Sequence, residues 1–141
     1  MTKHFFARLN GQRELPPVNT KAYGVTEFVF NSDLKRLSYR IILKNIEKVI
    51  SCQIHLGKSN QNGPIVLYLY GPVKQGISVD KGVVTGTVMI EDLEGPLQRK
   101  GIEDLIQEID QANAYVNIHT KKFKKGEIRG RIRKLKVGAI Q

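Results

Sequence analysis

Short segments rich in β-branched and aromatic residues recur along this chain, and each is bounded by Gly, Pro, Asn or Asp. Segments of this kind are typical of short β-strands separated by turns. The predicted strands cover residues 25–30, 37–44, 51–57, 64–71, 82–93, 114–120 and 126–135. Seven short strands in one chain favour an antiparallel β-sandwich or barrel with Greek-key connections.

Two connections between these strands have a predicted geometry. The connection at residues 31–36 is short and mostly polar, so we expect it to form the loop of a hairpin between the first two strands. The next hairpin connection ends in Asn62-Gly63, the dipeptide most tolerant of positive φ, which predicts a tight turn there. Gly86, inside a predicted strand, indicates a bulge or a close backbone approach.

Residues 100–112 depart from the strand pattern. Their apolar side chains fall at the i, i+3, i+4 and i+7 positions of one helical face: Ile102, Leu105, Ile106 and Ile109. The acidic and amide side chains between them point away from that face. We therefore expect a helix of about three turns that packs its apolar face on the rest of the domain.

Length, hydropathy and cysteine content restrict the class of protein. The 141 residues suit one domain, 1–141, and no apolar run approaches the ~18 residues needed to span a bilayer. The first ten residues lack the apolar stretch and cleavage site of a secretory signal peptide. Cys52 is the single cysteine, which excludes an internal disulfide framework. We expect a cytoplasmic protein, or one that is released without a signal peptide.

The formal net charge of +10 is unevenly distributed. Residues 121–141 hold nine Lys and Arg residues against Glu127 alone, whereas residues 80–110 hold eight Asp and Glu residues against three cations. This asymmetry indicates an anionic partner for the C-terminal end, or packing of the two regions against each other. The simpler interpretation is a solvated face that keeps the protein soluble.

The cations of residues 121–136 form a predicted basic stripe. Its loop part holds Lys121, Lys122, Lys124 and Lys125, and its strand part places Arg129, Arg131 and Arg133 on the same face as Glu127. Guanidinium groups about 7 Å apart suit rows of carboxylate, sulfate or phosphate groups. We expect salt-sensitive binding to an acidic polymer such as teichoic acid, a heparin-like glycan or nucleic acid, without sequence preference.

Three alternatives to polymer binding stay open for this stripe. Arg129 can fold back on Glu127 or meet carboxylates of an adjoining strand, and the stripe can dock the acidic helix of a second copy, which would produce self-association. Nucleic acid is the weakest of the polymer candidates, because Phe123 is the one aromatic residue near the arginines and base stacking needs more.

Two histidines on predicted strands indicate a candidate metal site. Strand alternation places Gln53 and His55 on one face of their strand, and Asn117 and His119 on one face of theirs. If the strands are neighbours, the two imidazoles meet beside the two amides. Such a set is incomplete, because stable zinc sites use three or four N, S or carboxylate ligands. The simpler interpretation is that the imidazoles form hydrogen bonds at a polar strand end.

No complete catalytic constellation is visible in the sequence. Cys52 falls on the apolar face of its strand, which is typical of an unreactive core cysteine. There is no Gly-rich loop of the phosphate-binding or dinucleotide-binding type. We expect no enzymatic activity and no cofactor, apart from a weak transition-metal site at His55 and His119.

Three segments together resemble the CHRD domain, the module that is repeated in chordin and found alone in many bacterial proteins. They are FFARLNGQRELPPVNTKAYG (5–24), IHLGKSNQNGPIVLYL (54–69) and DLIQEIDQANAYVNIHTKKFKKGEIRGRI (104–132). The resemblance covers about residues 5–132 and leaves a basic C-terminal extension to residue 141. It implies an immunoglobulin-like or superoxide-dismutase-like β-sandwich.

The resemblance also bears on function. In chordin these domains belong to an extracellular antagonist that sequesters growth factors, so a non-enzymatic binding or structural module is implied. The family commonly has His-x-His where this chain has Gln53-Ile54-His55. That pattern is reminiscent of the copper-binding strand of copper–zinc superoxide dismutases, and Gln53 removes one of the best ligands, since an amide binds copper or zinc less well than imidazole does.

Overall fold

A computed structural model describes residues 3–31, 33 and 35–135. They form eight β-strands, one α-helix and three short 3₁₀ turns. The strands are β1 (Lys3–Asn10), β2 (Tyr23–Phe30), β3 (Arg36–Leu56), β4 (Ile65–Tyr70), β5 (Ile77–Met89), β6 (Ala114–Thr120), β7 (Ile128–Arg131) and β8 (Arg133–Lys134), and the helix is α1 (Ile102–Asp110). The prediction of an all-β fold with one short helix is confirmed.

Five strands close into a barrel. They lie in the order β2-β1-β7-β6-β3, and β3 pairs back onto β2. All pairings are antiparallel, with β4 and β5 added beside β3 and β8 beside β1. The β6–β7 hairpin enters between β3 and β1, which gives the non-sequential strand order of Greek-key connections. Of the two architectures left open by the sequence, the described residues form a barrel.

Strand β3 closes the barrel because it is long and bent. The sequence predicts two strands here, 37–44 and 51–57, but the structure has one strand of 21 residues. Asn45 and Lys48 have positive φ values of 55° and 52°, and the pairing register with β5 shifts between Ile46 and Val49. This irregularity lets the first half of β3 pair with β2 and the second half pair with β6.

Two further differences concern turns and strand ends. The tight turn predicted at Asn62-Gly63 is wrong: the turn lies at Lys58–Gln61, where the Gln61 N–H donates to Lys58 O at 3.0 Å. Gly63 is needed for another reason, because a Cβ there would overlap the Leu56 carbonyl. Strand β1 is not among the predicted strands, which begin at residue 25.

The helix and the core follow the sequence pattern closely. All four apolar residues of the predicted helical face are buried, and the Gly101 N–H donates to the Asp104 carboxylate at 2.8 Å, which caps the first turn. The bulge or close backbone approach expected at Gly86 is wrong: Gly86 pairs in register with Tyr39, and the Tyr39 side chain fills the space that a Cβ would take. Largest among the fully buried side chains are Phe5, Phe28 and Phe30. Among the described residues, no helix is long and apolar enough to cross a membrane.

Candidate functional site

The outer face of the barrel at β3, β6 and β7 is covered, although a strand face of this composition would ordinarily be open to solvent. Tyr115 and Asn117 point outward from β6 and are nevertheless only 3% and 4% exposed. The segments 11–20 and 57–64 cover this face. They are tied together by Asn62, whose Nδ2–H donates to Leu15 O at 3.0 Å. A polar layer is therefore buried between the barrel and its own connections, and we call it the covered polar face.

His55 and His119 come together on the covered polar face. Strands β3 and β6 are neighbours, and the ring centroids of the two histidines lie 6.1 Å apart. Gln53 stands between them, with its Nε2 atom 3.1 Å from His55 Nε2 and 2.6 Å from His119 Nε2. The His55 Nδ1–H donates to Gly63 O at 2.8 Å. This arrangement assigns the acceptor role to both Nε2 atoms, which receive the two N–H groups of the Gln53 amide.

Both imidazoles are held neutral by their surroundings. Burial lowers the pKa of His55, and Arg129 lowers it further, while the hydrogen bond to Gly63 opposes the shift. Burial, with His55 adding to it, lowers the pKa of His119 to about 4. At neutral pH the two rings therefore present uncharged Nε2 lone pairs to one point.

Two buried amides of this face have an oxygen without a partner. Gln53 Oε1 and Asn117 Oδ1 form no hydrogen bond to any described residue, although Gln53 is fully buried. Their nitrogens are used instead: Asn117 Nδ2 lies 3.2 Å from His119 Nε2 and donates to Lys125 O at 3.4 Å. A buried carbonyl oxygen without a donor costs about 1–3 kcal/mol.

Glu14 is a member of this face that the sequence analysis missed. It is 4% exposed, and its Oε2 atom also has no partner among the described residues. A Cβ at Gly126 would lie 2.7 Å from Glu14 Oε2 and 2.5 Å from Asn117 Oδ1, so both acceptors converge on that glycine. Burial raises the pKa of Glu14 to about 7, with Arg129 lowering it and Glu127 raising it.

The predicted basic stripe is wrong at Arg129, which is buried and not on the surface. It is 2% exposed, and its guanidinium carbon lies 3.5 Å from the centre of the Tyr115 ring. It donates to Asn62 Oδ1 at 2.8 Å, to Lys58 O at 3.0 Å and to Gln61 O at 2.6 Å. The reason is the covering segment 57–64, which encloses this part of β7 and supplies the acceptors.

Glu127, also predicted on the stripe's face, is buried as well. Its carboxylate accepts hydrogen bonds from the Thr20 hydroxyl at 2.6 Å and the Thr120 hydroxyl at 2.8 Å. Arg129 therefore does not fold back on Glu127. The two ion pairs found among the described residues, Arg36–Asp33 and Arg40–Glu27, do not join the basic stripe to the acidic region 80–110 either.

The loop lysines remain on the surface and are joined by others. Lys121, Lys122, Lys124 and Lys125 are exposed, and the Lys121 N–H donates to Lys48 O at 3.0 Å. A cleft of about 740 Å³ lies here, and its lining includes the loop lysines 121 and 122 together with two that the sequence analysis missed, Lys21 and Lys48. We call this set the lysine end: Lys21, Lys48, Lys121, Lys122, Lys124 and Lys125.

A comparison with known families fits this arrangement. The model of the CHRD domain matches residues 5–132, which include every strand from β2 to β7 and the whole covered polar face. The chain belongs to the CHRD domain family. No curated protein and no solved structure matches it. Membership in this family indicates a non-enzymatic binding or structural module.

In this CHRD domain the predicted stripe is divided into two parts. Arg131, at the end of β7, is partly exposed and Arg133, at the start of β8, is exposed, and both lie away from the lysine end. The buried Arg129 separates them from the loop. Lys136, the last predicted member of the stripe, and the rest of the C-terminal extension lie outside the described residues.

The CHRD domain also keeps Cys52 in its core, as the strand alternation predicts. The residue is 2% exposed, and burial raises the pKa of its thiol, which disfavours the reactive thiolate. Among residues 3–31, 33 and 35–135, no group of three or more His, Cys, Asp and Glu residues is arranged to hold a metal ion. A metal bound at His55 and His119 would therefore have no third His, Cys, Asp or Glu ligand among the described residues.

Proposed function

We propose that this CHRD domain is a non-enzymatic binding module that holds an acidic polymer at the lysine end. The observation that carries the proposal is the convergence of exposed lysines from three separate segments on one end of the barrel. Residues from the β1–β2 connection, the bend of β3 and the β6–β7 loop meet around one cleft. Among the lining residues of this cleft, Glu47 is the one exposed carboxylate, since Glu127 is buried.

The chemistry of the lysine end favours a repeating anion over a sequence-specific ligand. Lysine ammonium groups act as flexible point charges, so they suit sulfate, carboxylate and phosphodiester groups without a strict geometry. Six like charges on one end repel each other, and a polyanion relieves that repulsion. Phe123 is the one aromatic side chain lining the cleft, which gives little support for stacking of bases. A sulfated, uronic or phosphodiester-linked polymer is therefore favoured over nucleic acid.

Heparin-column retention tests this proposal with a matched control. We expect the variant Lys121/Lys122/Lys124/Lys125→Gln to elute at clearly lower salt than the wild type. The control carries the same loss of four charges at exposed lysines elsewhere, in Lys3/Lys35/Lys74/Lys81→Gln. It should elute close to the wild type. If the two variants elute together, net charge alone governs retention, and the lysine end is only a solvated face.

A second candidate function, transition-metal binding, is favoured by a specific observation on the covered polar face. Two neutral imidazole Nε2 atoms converge on the Gln53 amide nitrogen, and the buried oxygens of Gln53 and Asn117 have no partner among the described residues. Two imidazoles that share one zinc ion at about 2.1 Å have ring centroids roughly 5 to 6 Å apart, close to the 6.1 Å found here. The His55 Nδ1–H bond to Gly63 O is the supporting contact that metal-binding histidines usually make.

Binding at this point requires the Gln53 amide to turn, because its nitrogen now lies between the two rings. Rotation of Gln53 and Asn117 by a half-turn about the amide would bring their oxygens toward the ion. The resulting donor set has two nitrogens and two neutral oxygens, which suits copper(II) or zinc only moderately. We therefore expect weak binding in the wild type.

Calorimetric titration of the tag-free protein with copper(II) and zinc tests the metal candidate. His55→Ala should abolish binding, and His4→Ala, at an exposed histidine of β1, should leave it unchanged. Gln53→His should raise the affinity by about tenfold or more, because a third imidazole replaces an amide. Equal binding by the wild type, His55→Ala and Gln53→His would exclude this site.

A further inference from the structure

A second cationic cavity lies at the far end of β7, away from the lysine end. It has a volume of about 260 Å³ and lies between the 3₁₀ turn Gly11–Arg13, the start of the covering segment 57–64 and the outer face of β7. None of its lining residues is Asp or Glu, and five are cationic: Arg13, Lys58, Arg129, Arg131 and Arg133. We call this cavity the arginine pocket.

The floor of the arginine pocket is a buried positive charge. Arg129 is 2% exposed, and its three hydrogen-bond acceptors are all neutral oxygens. No carboxylate lies within ion-pair distance of it among the described residues. Burying a charge is costly unless an opposite charge or many dipoles compensate for it. Three neutral oxygens and the Tyr115 ring compensate the guanidinium in part, and Glu14, the carboxyl group whose pKa Arg129 lowers, lies beyond ion-pair distance, so part of the positive field reaches the pocket above.

The walls of the pocket are already in place. Asn62 accepts from Arg129 through Oδ1 and donates through Nδ2 to Leu15 O, so one side chain fixes β7 and both covering segments. The Lys58 ammonium is held by Gln111 O at 2.5 Å. Because Arg129 and Lys58 are positioned by these contacts before any ligand arrives, ordering on binding is limited to the side chains of Arg13, Arg131 and Arg133.

We propose that the arginine pocket binds a single tetrahedral oxyanion, a phosphate or sulfate group. Planar guanidinium forks match the geometry of such oxygens, and the pocket offers several of them without a competing carboxylate. Its volume lies below the 300–1,000 Å³ of a typical drug-sized site, which fits one such group with part of the molecule that carries it. Tyr115 pairs with Arg131 at this end of β6, and Thr120 at its other end adjoins the lysine loop. The two sites are thus about 16 Å apart along the strand.

Titration followed by amide NMR distinguishes a built site from general attraction. Inorganic phosphate is added to the full chain and compared with chloride at constant ionic strength. We expect saturable shifts for phosphate at residues 12–13, 57–59 and 129–133, and weak, non-saturating shifts for chloride. Similar shifts for both ions, or phosphate shifts centred on residues 121–125, would overturn the proposal.

Two exposed or partly exposed members of the pocket provide variants that leave the core intact. Arg13→Gln and Arg131→Gln should each weaken phosphate binding about tenfold, the loss expected for one charge-assisted contact. Lys124→Gln, at the lysine end, should bind phosphate as the wild type does. Unchanged binding by Arg13→Gln and Arg131→Gln would also overturn the proposal. The heparin test substitutes lysines outside the arginine pocket, and the phosphate test substitutes arginines within it, so each proposal fails separately.

Comparison of probes identifies the source of the oxyanion. Glucose 6-phosphate and glucosamine 6-sulfate carry the same groups on a sugar. Tighter binding of either sugar than of inorganic phosphate or sulfate indicates a group on a glycan. Equal affinities indicate the free anion.

Discussion

Glu14 is a buried carboxyl group whose charged form is disfavoured by the fold. Its Oε2 atom has no partner among the described residues, and burial raises its pKa from 4.5 to about 7 despite the nearby Arg129 guanidinium. Because the folded-state pKa lies above the unfolded-state value, this group contributes stability that is fully present below pH 4.5. That contribution is lost as the pH rises through about 7.

We therefore expect Glu14→Gln to raise the free energy of unfolding at pH 8 and to change it little at pH 5. The full effect of this shift is on the order of 3 kcal/mol. His119 acts in the opposite direction, because its pKa is lowered to about 4 and its contribution is lost as the pH falls. Urea denaturation is therefore compared between variant and wild type at the same pH, where the His119 contribution is common to both proteins and cancels. Glu103→Gln, at an exposed helix position, is the control, and a gain from Glu14→Gln that is the same at both pH values would contradict the assignment.

On the covered polar face, strand alternation predicts which side of a strand a residue lies on, and no more than that. Alternation placed Gln53 with His55 and Asn117 with His119, and the structure brings these four together. It also placed Arg129 on the outer face of β7, correctly, but it gives no information on whether another segment covers that face. Glu14 lies in an irregular connection, where no periodicity marks a residue as buried.

Helix α1 is the element whose contribution to stability follows most directly from its sequence. Its four apolar residues are at most 5% exposed, and Leu105 is fully buried. We expect Leu105→Ala to lower the free energy of unfolding by about 2–5 kcal/mol, because the truncation leaves a cavity. Glu103→Ala on the exposed face should change it by less than about 0.5 kcal/mol. Equal losses from the two substitutions, measured by denaturation, would mean that the packing of α1 is not as described.

Elements differ in how far local sequence determines them. The helix was predictable because four apolar residues at helical spacing leave one burial mode. The continuity of β3 was not, since the polar residues around Asn45 resemble a connection between strands. The positive φ values at Asn45 and Lys48 mark a bend within β3. Pairing with β2 before the bend and with β6 after it holds the bend in place. Pairing partners distant in sequence, not local propensity, decide that outcome.

At the scale of the whole molecule, the charge asymmetry is retained on the surface. Most acidic residues of the region 80–110 are exposed, including Glu103 and Asp110 on α1, and the lysine end is exposed as well. The two described ion pairs lie elsewhere, so neither region neutralises the other within one chain. A contact between the lysine end of one copy and the acidic region of another is a heterologous contact, which does not limit assembly to a dimer.

Self-association should therefore be weak and should depend strongly on salt. We expect sedimentation velocity to show concentration-dependent oligomers at an ionic strength of about 0.01 M, where charges interact over roughly 30 Å, and a monomer at about 0.15 M. Lys121/Lys122/Lys124/Lys125→Gln should remain monomeric at both, whereas the control Lys3/Lys35/Lys74/Lys81→Gln should associate as the wild type does. Heparin added at low salt should compete, since it occupies the same lysines. A wild type that is monomeric at low salt would exclude the acidic region as a partner of the lysine end, and polymer binding would then be tested by heparin retention alone.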